Sequence, residues 1–213
     1  MIIELIKEGT SPDPIKAMAI AASKCYDSKP TEGLVHRVLQ TGHTSIAEHA
    51  KFEFNIKGIS RVSTHQLVRK RIGFSYSMRS QRYCDEEDFG YTLPKTIFDN
   101  TRLAIKYNKL VADINDFYEK MINEGIPKED ARYILPNATH STLILSCNLR
   151  SLIDFCGQRM CKRSQHEIRD LANKMKSEIE RYYPSISQYL TPKCITLKNC
   201  PEGKKSCGYH QSK

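Results

Sequence analysis

The segment "AKFEFNIKG" sets Phe52, Phe54 and Ile56 against polar neighbours at a period of two, which predicts a strand with one buried face. A helical period takes over from about Asp99 to Asn123, where Leu103, Tyr107, Leu110, Ile114, Phe117 and Met121 recur at steps of four and three. That stripe is either core or the seat of a partner helix. "MIIELIKEG" and "THSTLILSC" have strand composition. Pro14 to Tyr26 reads as a helix capped by Asp13, and Thr31 to Gln40 as a second, stopped by Gly42. "ISRVSTHQLVRKR" has helical spacing and is expected to end near Lys70. "IPKEDARYIL" restarts a helix with Pro127 in its first turn. "LRSLIDFCGQRM" and "HEIRDLANKMKSEIERYY" give two more before Pro184. Strands mixed irregularly with helices argue for an α+β class. With no repeat, linker or shift in composition, residues 1–192 are expected to form one domain, and residues 193–213 a cysteine-containing tail.

Length and charge narrow the chemistry. A chain of 213 residues supports one sizeable core, and no run approaches the roughly 18 apolar residues of a membrane span. The first residues lack a basic, apolar and small-residue leader, so a cytoplasmic protein with no membrane partner is expected. A formal charge of +9 implies anionic ligands. The charge is not gathered into a basic run or tail, so nucleotides and phosphorylated cofactors fit it as well as nucleic acid does. Cys25, Cys84, Cys147, Cys156 and Cys161 sit in periodic segments as small hydrophobes. Cys194, Cys200 and Cys207, with His210 behind them, supply the donor types of a zinc site but no CxxC spacing, so a mobile reduced tail is the favoured expectation.

The common dinucleotide, P-loop, zincin and hydrolase fingerprints are absent. "RKRIGFSYSMRSQRY" instead concentrates cations and hydroxyls as a lining for something anionic, or else as a basic surface helix with a polar loop behind it. On a helix ending near Lys70, Gln66 and Arg69 share a face, while Lys70 and Arg71 turn to adjacent ones. Ser80, Gln81 and Arg82 come next, in an expected loop suited to a phosphate. In "GHTSIAEH", His43 and Ser45 open a helix, with Glu48 in reach of a reciprocal cap on Ser45. In "CNLRSLIDFCGQR", Arg150 and Asp154 are four apart and suited to pairing, and Arg159 stands at the polar end.

Together these blocks resemble the flavin-dependent thymidylate synthases. "RKR", the spacer "IGFSYSM" and "RSQRY" are similar to the family signature. "TGHTSIAEHAKFEFNIKG", "ARYILP" and "CNLRSLIDFCGQR…SQHEI" resemble its other blocks in the same order, over about residues 1–190. The resemblance implies a single α+β domain with a mixed antiparallel sheet, several helices and one long helix, assembled as a homotetramer with shared FAD sites. It implies reductive methylation of dUMP to dTMP, with methylenetetrahydrofolate giving the carbon, NADPH reducing the flavin, and no nucleic-acid partner. By position, His43, Ser45, Glu48, Arg69, Lys70, Arg71, Asn148, Arg150 and Asp154 would face FAD. Gln66, Ser80, Gln81, Arg82, Arg132 and Arg159 would hold dUMP, and Arg159, Ser80 and His43 are the candidates for catalytic roles. Ser80 is expected to bind or orient substrate rather than attack it. Lys70 replaces the family's histidine, Met78 a common Glu or Gln, and Asp154 a usual Asn. FAD binding is expected to survive these departures in weaker form. A diverged relative acting on another pyrimidine nucleotide, and a non-enzymatic nucleic-acid-binding protein, are the alternatives.

Overall fold

The computed structural model describes residues 1–209. Strand β1 (Ile2–Leu5) leads through helices α1 (Pro14–Tyr26) and α2 (Glu32–Gln40) to β2 (Lys51–Ser60) and α3 (Arg61–Leu67). Strand β3 (Phe74–Met78) precedes α4 (Lys95–Phe98), the long α5 (Thr101–Asn123) and α6 (Lys128–Ala131). The last strand, β4 (His140–Asn148), runs directly into α7 (Leu149–Arg159), and then come α8 (His166–Tyr182), α9 (Pro184–Ser187) and α10 (Lys193–Thr196). The four strands lie in the order β1-β2-β4-β3, and every neighbouring pair is antiparallel. The fold is α+β, and no described helix is long and apolar enough to cross a membrane.

Local chemistry accounts for the element ends. The Asp13 carboxylate accepts from the Lys16 amide at 2.8 Å, and the Thr31 hydroxyl accepts from Leu34 at 3.2 Å, each satisfying an orphan donor of a first turn. The alternation of β2 places Phe52, Phe54 and Ile56 fully inside. They meet Leu143, Leu145 and Cys147 of β4, the inner faces of α7 and α8, and Met18 of α1. Each such side chain contributes about 1.5–3 kcal/mol through burial. A bulge between Lys57 and Ile59, with Gly58 at φ +69, turns Ile59 and Ser60 inward together. There Glu167, 7% exposed at the start of α8, accepts from the Ser60 amide (2.7 Å), the Ser60 hydroxyl (2.5 Å) and the Ser63 hydroxyl (2.8 Å). This buried carboxylate ties α8 to the β2–α3 junction.

The structure differs from the sequence-based expectations in several places. Helix α3 stops at Leu67, so Arg69, Lys70 and Arg71 stand in a turn rather than on a helix end. Beyond that turn the chain forms the edge strand β3, with Phe74, Tyr76 and Met78 facing the core, and Ser80, Gln81 and Arg82 follow in a loop as expected. Met78 therefore points away from any ligand presented at the exposed Ser75 and Ser77. The Thr44–His49 segment is a 3-10 turn, and His43 makes no side-chain cap to it. Of the α5 stripe, Leu103, Leu110 and Phe117 are about half exposed, and only Val111 and Tyr118 of that helix are buried. Cys25 is exposed, whereas Cys147 and Cys156 are buried as expected. Residues 193–209 pack on the domain: Arg163 Nη1 donates to the Lys205 carbonyl at 2.6 Å, and Lys162 Nζ sits 5.0 Å from the Tyr209 ring. His210 lies outside the described residues.

Candidate active site

Antiparallel pairing gathers distant segments at one end of the sheet. Lys51 opposite Asn148 brings the Thr44–His49 turn beside the start of α7, and Phe74 opposite Cys147 brings the Lys70–Gly73 turn to the same place. The Asn148 amide donates to the Gly73 carbonyl at 3.1 Å, and the Asn148 side chain caps α7 by accepting from Ser151 at 2.9 Å. Gly73 has φ +69, and a Cβ there would lie 2.2 Å from Ser151 Oγ and 2.7 Å from Asn148 Nδ2. Only glycine fits both the conformation and the approach. The Tyr76 hydroxyl lies 2.9 and 2.7 Å from the carbonyl oxygens of Leu67 and Lys70 and so anchors the turn from below. Burial, with Cys147 adding, pushes this phenol well above its usual range, so it remains a donor.

The result is an open cavity of about 990 Å³. Thr44 and Glu48 line it from the 3-10 turn, Lys70 and Gly73 from the next turn, and Asn148, Arg150 and Asp154 from α7. Thr191, Lys193 and Leu197 close it from the C-terminal segment. Charges inside it are cross-paired. Lys70 Nζ contacts Asp154 Oδ2 directly, Lys193 Nζ is 3.4 Å from Oδ1, and Gln158 Nε2 donates to both oxygens at 3.2–3.3 Å. Burial alone would raise the Asp154 carboxyl, but the hydrogen bond and charge of Lys70, with Lys193, hold it below the usual carboxylate range. Arg150 Nη1 reaches Glu48 Oε1 at 2.5 Å. The expected Arg150–Asp154 pair therefore does not form, and Glu48 serves Arg150 rather than capping Ser45: tertiary neighbours outcompete a weak local pair.

A second group forms at the other end of β3. The Arg82 amide donates to Ser80 Oγ at 3.2 Å, and Arg82 Nε meets Glu129 Oε2 at 2.6 Å. Arg132 Nε donates to the Glu129 carbonyl at 3.1 Å. Gln81 is only 7% exposed, and its Nε2 is buried with no hydrogen-bond partner among the described residues. Such an orphan donor is a position where a ligand acceptor is worth most. None of these residues lines the large cavity. The five residues of β3 separate the two groups by roughly 17 Å. Arg69 and Arg71 are exposed, and Arg159 is half-buried at the end of α7; none of the three makes a side-chain hydrogen bond or ion pair among the described residues. Gln66 is half-buried in the last turn of α3. His43 Nδ1 lies 3.4 Å from the Tyr26 hydroxyl, and Ser45 is exposed. Sequence reasoning missed Thr44, Gly73 and Lys193. The positive-φ demand at Gly73 carries no sequence signal beyond glycine itself, and Lys193 falls in the segment that reads as a separable tail.

Comparison with known proteins agrees over nearly the whole chain. The family described as "Thymidylate synthase complementing protein" matches residues 4–185. A flavin-dependent thymidylate synthase of Geobacter sulfurreducens is 38% identical over 212 residues, covering 93% of this chain and 90% of that protein. One from Pyrococcus abyssi is 46% identical over 174 residues, covering 78% and 71%. Among solved structures, a UMP/dUMP methylase from Streptomyces cacaoi bound with 5-Br dUMP superposes with a TM-score of 0.75 at 20% identity, covering 88% and 93%, a likeness of fold. Sequence match, fold and the clustering of the signature residues at two ends of one strand lead to one conclusion: the chain belongs to the flavin-dependent thymidylate synthase family.

Proposed function

We propose that the protein converts dUMP to dTMP, with methylenetetrahydrofolate as carbon donor and NADPH as reductant of a bound FAD. The observation that carries this reading is the cavity in which Lys70, Asn148, Arg150 and Lys193 converge around a backbone that only glycine permits. Its volume and its cationic donors fit a dinucleotide with two phosphates, and Arg69 and Arg71 stand on the adjoining turn with their charge unspent. When bound, FAD supplies the hydride chemistry; the protein supplies binding, orientation and electrostatics. Arg82 and Arg132 suit the dUMP phosphate, and the orphan amide of Gln81 suits an oxygen of the nucleotide. Arg159, a cation without an internal partner among the described residues, would stabilise negative charge on the pyrimidine as C6 is attacked. Ser80 orients substrate, and His43 borders the flavin side.

The two groups stand roughly 17 Å apart along β3, a separation that a homotetramer with shared sites would bridge. The half-exposed stripe of α5 is the surface we assign to that assembly. Replacing Leu110 and Phe117 together with aspartate is expected to dissociate it, as sedimentation of the variant would show; an unchanged oligomer would remove α5 from the interface. Eight free thiols accord with a cytoplasmic enzyme.

The deciding experiment is the absorbance spectrum of the protein with FAD, and then with NADPH in the presence and absence of dUMP. Flavin bleaching quickened by dUMP supports the reading, and no saturable flavin binding overturns it. Turnover of UMP or dCMP in place of dUMP would assign the diverged alternative, which the charged pair Lys70–Asp154 motivates. Arg82→Ala and Arg159→Ala are each expected to lower kcat/KM by about 2 kcal/mol, roughly thirty-fold. Near-normal turnover in both would undo the assignment of the nucleotide site.

A further inference from the structure

Beyond the proposed active site, four thiols come together where the chain folds back on itself. Cys161, in the turn after α7, lines a cavity of about 270 Å³ together with Cys194, Cys200 and Cys207. The fold supplies what the spacing lacks, because the fourth thiol comes from more than 30 residues upstream of the other three. All four are free thiols.

Cys200 is the only buried residue described between 193 and 209, so the segment they hold brings almost no core of its own. Cys200 is buried, yet Ile195, Leu197 and Tyr209 are 37–58% exposed, and the residues between Cys200 and Cys207 are almost all exposed. Fixing each residue of such a segment costs about 1–2 kcal/mol of backbone entropy, and no apolar core of its own offsets that. A bound ion does so, because metal-binding free energy becomes folding free energy. The charge is also provided for. Four thiolates on a dication leave a net negative site, and Arg163 and Lys193 line the cavity together with one acid, Glu202, while Lys204 and Lys205 follow on the tail.

We propose that Cys161, Cys194, Cys200 and Cys207 bind one zinc ion in a closed four-thiolate site that clamps the C-terminal segment onto α7. A complete set of soft thiolate donors selects zinc over hard cations, and the absence of an open ligand position makes the site structural. Among the described residues no three ligating side chains yet surround a common point at bonding distance. Binding therefore draws the thiols inward across the cavity and releases their protons. The clamp bears on the active site through its wall: α10 carries Lys193 to Asp154, and Thr191 and Leu197 line the large cavity from the same segment.

The test is metal analysis of the full chain purified under reducing, chelator-free conditions, a readout independent of flavin or nucleotide. About one zinc per chain is expected. After its removal, cobalt(II) is expected to give the intense near-ultraviolet thiolate charge-transfer bands and the visible bands of a tetrahedral site. Cys200→Ser and Cys207→Ser should lose the metal, whereas Cys25→Ser, an exposed thiol on α1, should retain it. Chelation should speed proteolysis after Lys204 or Lys205 roughly ten-fold. If the serine variants fail to fold, the cobalt spectrum of the unsubstituted protein still decides. Protein without stoichiometric zinc that gives no thiolate–cobalt bands overturns the proposal, as does a stable disulfide among these cysteines under the same reducing conditions.

Discussion

Glu167→Ala is expected to lower the stability of the fold by about 3–5 kcal/mol, the cost of leaving three buried donors without their shared acceptor. The carboxylate, only 7% exposed, accepts from the Ser60 amide, the Ser60 hydroxyl and the Ser63 hydroxyl. Alanine leaves those donors buried and unmatched, at about 1–3 kcal/mol for each that finds no substitute. It also removes the link between α8 and the bulged end of β2. Glu167→Gln should fall less far, because one acceptor oxygen survives. Urea denaturation with an unchanged m-value would measure both, and a loss under about 1 kcal/mol for alanine would show that solvent or a neighbour replaces the carboxylate.

Lys70→Glu is expected to weaken FAD binding by about 3 kcal/mol, more than a hundred-fold. The wild-type pair brings a cation and an anion to the cavity wall; the variant places two carboxylates there, facing a ligand that is itself anionic. Lys70 and Asp154 are also two of the positions at which the chain departs from its family's pattern, and they touch. A charged pair thus stands where the resemblance to the family leads to the expectation of His and Asn, and the two changes are expected to compensate each other. Lys70→His with Asp154→Asn should therefore bind FAD better than the sum of the single losses allows, a coupling readable in a double-mutant cycle. Additive losses would sink this account. Acid should weaken the pair in the same way. Since the folded carboxyl titrates below its unfolded value, the pair's contribution is present above about pH 4 and fades as pH falls through the folded pKa.

Much of the fold is legible because its signals are local. The alternation in β2, the caps Asp13 and Thr31, and the proline at the start of α1 each act within a few residues of themselves. Strand β3 has the same alternation, Phe74, Tyr76 and Met78 against serines, but the surrounding arginines and serines make it read as a loop. The α5 stripe shows that an amphipathic pattern announces a covering surface without saying which chain provides it. Residue types and order point to Asn148, Arg150, Asp154 and the arginine-rich turn. Their partners cannot be had from order: Arg150 finds Glu48 across 102 residues, and Asp154 finds Lys70 across 84. The fourth thiol of the C-terminal cavity is hidden for the same reason, since Cys161 looks like any small residue of a helix end.

The length of β3 has a genetic consequence. Because the groups proposed to hold flavin and nucleotide lie at opposite ends of that strand, a site shared between subunits as proposed would draw its intact halves from different polypeptides. A chain disabled at Lys70 and a chain disabled at Arg82, each inactive alone, are then expected to complement one another when co-expressed, since some mixed assemblies contain a site with neither lesion. Catalytic competence becomes heritable at the level of the assembly, and two recessive alleles of one coding sequence need not fail to rescue each other.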